Sequence, residues 1–479
     1  MFKKKERYIF ILAVSLCTLF SIAYSVLSVV RHMHYESFGY DLGINNQVVW
    51  KYSHFQLPYT TSDPFPNETK LTTHVELMYA LISPFYWIWS SPEMLLILEA
   101  GFVCFSGIAI YLLARRRKLH PLLSLSLLLG YLFFYGVQNA IWFDVHSASF
   151  AAAFLAWFIY FLDSKKMRWV IIFSLLAITT KENIGFLILL ISLVYFIKRR
   201  DKLTMVLMAI SAIYLLFIYL IYFPYLTHHQ YLYQNKDGLL SNLNPESLID
   251  TNEKREAILY SLGSFGFIPL LLPIFLIPAL GDFATYFILA SDLTASHGLF
   301  MHYRITLAPL LAWATIMTIS RFKWLNNKYI AIYLILSTLF IQYMLHLPLS
   351  YLSKSWFWTE PSGVKNINEL RSHLLPTDAI VAQNNIIPHI SQRDKIYTLY
   401  PEKKKFTKNS PCGQPECDWF RWEGNPTYLF ADTSPEWDAR HLLIDRENFV
   451  RGLENIERAG IVKKYKQEGT AVIYKVKSR

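Results

Sequence analysis

The chain has 479 residues, of which 53% are hydrophobic and 16% aromatic, and its formal net charge is +11. So much apolar content, gathered in long blocks, excludes an ordinary soluble enzyme and identifies a polytopic integral membrane protein. The positive charge does not read as nucleic-acid binding, because it collects at the ends of the apolar blocks and no basic face with interleaved aromatics accompanies it.

The first apolar block, residues 8–30, follows Lys3, Lys4, Lys5 and Arg7. It reaches the roughly 20 residues that a helix needs to cross the hydrocarbon core. It is too long for a signal-peptide core and lacks a small-residue cleavage site, so it reads as a retained helix. Blocks of similar character lie at 94–114, 203–223 and 329–346. Basic clusters border the apolar blocks: Arg115, Arg116, Arg117 and Lys118; Lys165, Lys166 and Arg168; Lys198, Arg199 and Arg200; Arg321, Lys323 and Lys328. The positive-inside rule places these clusters, and the N-terminus, on the cytoplasmic side of the plasma membrane.

Residues 31–92 then form a long outer loop. Within it VELMYALISPFYWIW is short, contains a proline and ends in tryptophans, which suits a segment lying in the membrane surface. Residues 122–137 run outward and 147–162 return. The next stretch, WVIIFSLLAITTKENIGFLILLISLVYFIKRR at 169–200, begins after one cytoplasmic cluster and ends at another. It must hold an even number of crossings: two short helices at 169–180 and 184–197, with Lys181, Glu182 and Asn183 at the outer turn. A charge at the bilayer centre costs several kcal/mol, and the hairpin avoids that cost. Residues 259–300, broken by Pro269, Pro273 and Pro278 and carrying Asp282, read as a second hairpin. Residues 304–320 run inward and 329–346 outward, for about eleven crossings in an all-α membrane bundle.

From about residue 352 the chain changes character. Short β-type runs, AIVAQ at 379, IYTLY at 396, YLFAD at 428, HLLID at 441 and AVIYKV at 471, accompany amphipathic helices at 363–374 and 447–460. The predicted domains are therefore a membrane bundle at 1–350 and an extracytoplasmic α/β domain at 351–479. Cys412 and Cys417 are spaced for a hairpin disulfide in an oxidising compartment; a free pair or a metal site is the alternative, without a second cysteine pair to support it. Cys17 and Cys104 read as inert apolar residues inside helices.

The polar residues that stand out in so apolar a chain all map to the outer face. Asp41, Asn45, Asn46 and Gln47 lie in FGYDLGINNQVVW, His74 and Glu76 in TTHVELMY, and Asp144 and His146 in IWFDVHSASF. Lys181 and Glu182 sit at the hairpin tip, and His302, Tyr303 and Arg304 open MHYRITLAP. Each has a structural reading as well. Asp41 can be a first-turn acid favoured by the helix dipole, His74 a hydrogen-bonded surface histidine, and Asp144 with His146 the cap of a helix from Ser147. Lys181 and Glu182 can tie the hairpin to a neighbour, and Arg304 can snorkel to the headgroups. His228 and His229 lie in a polar loop and read as solvent-facing.

The segments GYDLGINNQ, TTHVELMYALISPFY, WFDVHSASF, TTKENIG and HYRITLAPLLAWATI, in this order, resemble the bacterial and archaeal membrane proteins grouped as domain of unknown function 2079 (DUF2079). LLPTDAIVAQNNIIPHISQRDKIYTLYP and HLLIDRENF fit as well, so the resemblance covers most of the chain. That family is grouped with the GT-C glycosyltransferases, which transfer sugars from polyprenyl-phosphate carriers outside the cytoplasmic membrane. The resemblance implies a GT-C-like fold with a catalytic acid in the first outer loop, here Asp41. Many GT-C enzymes carry two neighbouring acids there, whereas Asp41 stands between Tyr40 and Leu42 and its nearest acid is Glu36. A divalent metal on an acidic pair is thereby disfavoured, and no cofactor is called for.

The resulting expectation is transfer of a sugar from a polyprenyl-phosphate donor to an extracytoplasmic acceptor, a cell-envelope glycan, lipid or protein, at the surface of the membrane lipids. Asp41 is the candidate base. Lys181 and Arg304 are the candidate phosphate contacts, with Glu182 orienting Lys181. His74, Glu76, Asp144, His146, His302 and Tyr303 line the substrate side. The alternatives are a transporter or lipid-handling protein that binds an anion at Lys181, Glu182 and Arg304, and a non-catalytic envelope assembly factor whose α/β domain binds a partner.

Overall fold

The computed structural model describes residues 4–62, 69–227, 231, 244–290, 293–405, 412 and 415–477, so that His228 and His229 lie outside the described residues. The chain divides into two compact units, one of Met1–Ser28, Leu71–Met78 and Leu96–Leu352, the other of Val29–Lys70, Tyr79–Leu95 and Ser353–Arg479.

The first unit is helical. Glu6–Met33, Pro92–Arg116, Pro121–Trp142 and Lys202–Leu226 are long and apolar enough to cross a membrane. Shorter apolar helices include Ser147–Asp163, Met167–Ile178, Leu307–Arg321 and Lys328–Met344. The 169–200 run is indeed broken. Met167–Ile178 and Ile184–Arg199 are separate helices, with Thr179 to Asn183 between them. At the far end Arg200 takes a left-handed conformation (φ 51°). The Asp201 carboxylate then caps the following helix by accepting from the Thr204 N–H at 2.9 Å. The proline-rich run behaves as its sequence demands: after Asn252–Gly263 the chain passes through the 3-10 turns Ile268–Leu271 and Pro273–Leu276 before the helix Ile277–Ala284.

Asp163, at the C-terminus of its helix and 3% exposed, ties four of these helices together. Its carboxylate receives Arg116 Nε at 3.0 Å, Arg199 Nη2 at 3.2 Å, Arg117 Nη2 and the Tyr195 hydroxyl at 3.1 Å. Trp313 Nε1 donates in turn to the Tyr195 oxygen at 3.1 Å. A lone buried carboxylate is costly, and three guanidiniums and a hydroxyl meet it here.

The second unit contains a small mixed sheet. Its strands in chain order are β1 (Ile380–Ala382), β2 (Ile396–Thr398), β3 (Tyr400–Lys405), β4 (Glu416–Arg421), β5 (Tyr428–Asp432), β6 (Val462–Glu468) and β7 (Ala471–Val476). The order β2-β1-β5-β7-β6 is parallel at β2-β1-β5 and antiparallel beyond, and β3 with β4 forms a separate antiparallel ribbon. Val364, Ile367 and Leu370 from helix Ser362–Arg371, and Phe449, Leu453 and Ile456 from helix Arg446–Arg458, recur at helical spacing and fill one core with Ile380, Leu429 and Ile473. Cys412 and Cys417 are joined as a disulfide, with Cα atoms 6.0 Å apart, beside the ribbon.

HLLID is not a strand. The Asp438 carboxylate accepts from the N–H groups of Arg440 at 2.8 Å and His441 at 3.4 Å, which nucleates the short helix Ala439–Leu442 instead. Conversely β3, β4 and β6 are strands that the hydrophobic pattern does not announce, because YPEKKK, ECDWFR and VKKYKQE present mostly charged residues to solvent.

The segment 35–62 is bound into this α/β unit. Gly39 N–H donates to the Asn384 backbone carbonyl at 2.8 Å, Gln47 Nε2 to the Arg393 carbonyl at 2.9 Å, and Thr61 Oγ1 to the Ile396 carbonyl at 2.7 Å. Gly39 and Gly43 carry no side chain for a packing reason: a Cβ at either would stand 2.8 Å from the Ile387 side chain.

Replacing Asp163 with Asn tests the four-helix tie. Breaking a buried ion pair costs roughly 3–5 kcal/mol, discounted to about 2 kcal/mol because the arginines are partly exposed. The expected result is a clear drop in the thermal midpoint of the detergent-solubilised protein. Glu6→Gln, which removes the surface partner of Arg115, should stay within about 1 kcal/mol of the parent.

Candidate functional site

The hairpin turn positions the first part of the site. Met78 N–H donates to the Thr179 carbonyl at 2.9 Å and lays the 74–78 stretch along the turn. There the fully buried Glu182 carboxylate accepts three hydrogen bonds: from His74 Nδ1 at 2.9 Å and the Tyr231 hydroxyl at 2.7 Å on one oxygen, and from the Val75 N–H at 3.1 Å on the other. Burial by itself raises the Glu182 carboxyl, but His74, Lys181 and the Tyr231 hydroxyl outweigh it and hold the group below the ordinary carboxylate range. His74 is pressed the other way, first by burial and then by the Lys181 charge, so it is a neutral imidazole that donates its Nδ1 proton to Glu182. Tyr214, Tyr219, Tyr222, Phe223 and Tyr231 form an aromatic wall around Val75 beside this group.

The second part gathers at the start of helix Ser147–Asp163. The Ser147 hydroxyl donates to Glu76 at 2.6 Å, and the His146 N–H donates to Glu99 at 3.1 Å. His146 occupies the N-cap position without a side-chain capping bond. Its ring stands instead edge-to-face with that of His302, centroids 3.6 Å apart. Asp144 is fully buried at a positive φ of 108°.

Arg304 forms the third part. It is 0% exposed, donates through Nη2 to the Ser296 carbonyl, and lies 5.6, 5.0 and 4.8 Å from the ring centroids of Phe283, Tyr286 and Phe287. Its Nε and Nη1 have no hydrogen-bond partner among the described residues. Gly136 lets the helix Tyr135–Trp142 come this close, since a Cβ there would meet the Arg304 carbonyl at 2.6 Å. Asp282, electrostatically coupled to Arg304, accepts from Thr306 Oγ1 at 2.7 Å.

The three parts belong together. Burial, then the Lys181 and Arg304 charges in a pocket that also holds the His146 and His74 rings, push His302 well below the usual histidine value. The first unit thus assembles His74, Glu76, Asp144, His146, Lys181, Glu182, His302, Tyr303 and Arg304 from four separated segments, Tyr303 through its ring 4.2 Å from His302. Asp41 belongs to the second unit, in the turn Gly39–Gly43 that runs directly into helix Ile44–Ser53. Glu99, Asp282 and Tyr231 are additional members. The first two carried a signal, a carboxylate inside an apolar run; Tyr231 carried none. Among the described residues no group of three His, Cys, Asp or Glu side chains is placed to hold a metal ion.

The fold is mostly helical with a small β-sheet region. It is similar to the structure of ArnT from Cupriavidus metallidurans bound to undecaprenyl phosphate, with a TM-score of 0.57 and 12% identity over 97% of each chain. The chain belongs to the DUF2079 family of predicted membrane proteins, which it matches over residues 31–447. No curated protein sequence matches it.

His74 and His302 are neutral in the fold but take up protons when unfolded, starting at the ordinary value of 6.5. The unfolded chain therefore binds more protons on the acid side, and stability falls as the pH drops below that value. The thermal midpoint should decline between about pH 7.5 and 5.5, and His302→Asn should flatten the decline.

Proposed function

We propose that this chain is a GT-C-type glycosyltransferase that moves a sugar from a polyprenyl-phosphate carrier to an acceptor outside the cytoplasmic membrane. The observation that carries the reading is Arg304: a wholly buried guanidinium, held under three aromatic rings, with two donors uncommitted among the described residues. Such a group suits a phosphate oxygen, which takes charge-assisted hydrogen bonds from a planar cation. The fold likeness to a protein solved with undecaprenyl phosphate supports the same donor class.

In this reading an acceptor hydroxyl oxygen bonds to the anomeric carbon as the bond from that carbon to the carrier phosphate breaks. The hydroxyl proton passes to Asp41. The phosphate leaves with the added negative charge, which Lys181 and Arg304 meet. Glu182 orients the His74 ring in addition to Lys181, and His74, Glu76, Asp144, His146, His302 and Tyr303 line the sugar or acceptor side. The basic clusters face the cytoplasm, the 181–183 turn and residues 351–479 lie outside, and the bundle makes about eleven crossings.

Incubating the purified protein with polyprenyl-phosphate sugars and following release of the carrier tests the reaction. Asp41→Asn should abolish release while membrane insertion persists. Arg304→Gln should lower turnover by roughly 10²–10³, the usual cost of removing one donor to a developing anion. Full activity in Asp41→Asn, or inertness of the parent toward every such donor, removes the assignment.

Orientation is read separately with single cysteines at the exposed positions Lys464 and Lys166. An impermeant thiol reagent added outside intact cells should label Lys464→Cys and spare Lys166→Cys until the membrane is opened. The reverse pattern overturns the topology.

A further inference from the structure

The second unit carries a half-open cavity of about 320 Å³ whose walls include His32, Asn46, Glu93, Arg371, His389 and Arg393. Its chemistry differs from that of an apolar fold defect. His32, fully buried, stacks on His389 with ring centroids 4.0 Å apart and planes 7° from parallel, and Tyr35 stacks on the other ring contact of His389 at 3.7 Å. Nε2 of both histidines is without a hydrogen bond among the described residues, and His32 Nε2 stands 3.9 Å from Glu93 Oε1. Arg393 is braced by the carbonyls of Ile390 at 2.6 Å and of Leu375 and Asp378 at 3.1 Å, bonds that use Nε and Nη1 and, among the described residues, leave Nη2 for a ligand. Arg371 adds a second guanidinium, coupled to Tyr35 and His389.

The neutral amides of the wall are bonded to each other and to their neighbours. Asn46 donates to Ser391 at 2.7 Å and accepts from Tyr86 at 2.6 Å and Gln392 at 3.1 Å. They set the shape and leave recognition to the two guanidiniums, the two imidazoles and the single Glu93 carboxylate. That set is net cationic and has one carboxylate. It matches a ligand with one negative group for the arginines and hydroxyls for the carboxylate and imidazoles. The volume lies at the small end of the roughly 300–1,000 Å³ of small-molecule sites, which suits a single ring.

We infer that this cavity binds a hexose-sized carbohydrate bearing one anionic group, a carboxylate or a phosphate. The site stands on the second unit's own side chains and goes beyond the transfer reading, which uses none of them.

Calorimetric titration of the full-length protein in detergent with glucuronate, glucose 6-phosphate, glucose and inorganic phosphate tests it. At least one anionic sugar should bind about tenfold or more tighter than both glucose and inorganic phosphate. Whichever of the two binds tighter names the charged group. Arg371→Gln, at a partly exposed position, should weaken that binding about tenfold or more with the thermal midpoint retained. His389→Asn, a neutral replacement, should weaken it as well and serves if the arginine variant does not fold. Three outcomes overturn the inference: no saturable binding of either anionic sugar, glucose or inorganic phosphate binding as tightly as both, or unchanged affinity in a folded variant.

Discussion

The first unit depends on how one buried carboxylate is satisfied. Glu182 lies at a turn between two short apolar helices, where an unmet negative charge would cost several kcal/mol. It is met by an imidazole, a phenol and a backbone N–H drawn from residues 74, 231 and 75. The requirement runs both ways. The carboxylate needs these donors, and accepting them fixes the 74–76 stretch against the hairpin, which carries Glu76 to Ser147. The site follows from the solvation problem of a single side chain.

A matching constraint acts at the other end of the same helices. His146 and Glu182 lie by the N-termini of Ser147–Asp163 and Ile184–Arg199, whereas Asp163 and Arg199 lie at their C-termini and bind each other. Helices of 16 and 17 residues are short for spanning a bilayer. Charged networks at both ends give them firm termini, and the cationic side chains sit at C-termini, where the helix dipole favours them.

In the second unit the same economy of space shapes the Asp41 turn. Two glycines flank GYDLG because Ile387 occupies the room that their side chains would fill. The turn is therefore held by the loop after β1, the same loop that supplies His389 and leads to Arg393. Asp41 and the cationic cavity thus share one scaffold, although the cavity wall does not include Asp41.

Much of this was legible beforehand. Apolar length located the long helices, charge located the break at 179–183, and β-type runs located four strands of the mixed sheet. The charged strands β3, β4 and β6 escaped, because a strand with one solvated face and no apolar alternation resembles a loop. HLLID misled, because a side-chain cap outweighed its apolar run. The site residues were recognisable as out of place in so apolar a chain, yet their pairings were not. Glu182 accepts from His74, more than a hundred positions away, and from Tyr231, donors that no local pattern points to.

Sequence alone determined where the chain can cross lipid and which polar residues need an explanation, since transfer energies act residue by residue and need no partner. Only the tertiary structure decided which donor meets which acceptor, and which arginine lies under aromatic rings rather than at the surface. Hydrogen bonds depend on a few ångströms between segments far apart in the chain, and no local pattern encodes that distance.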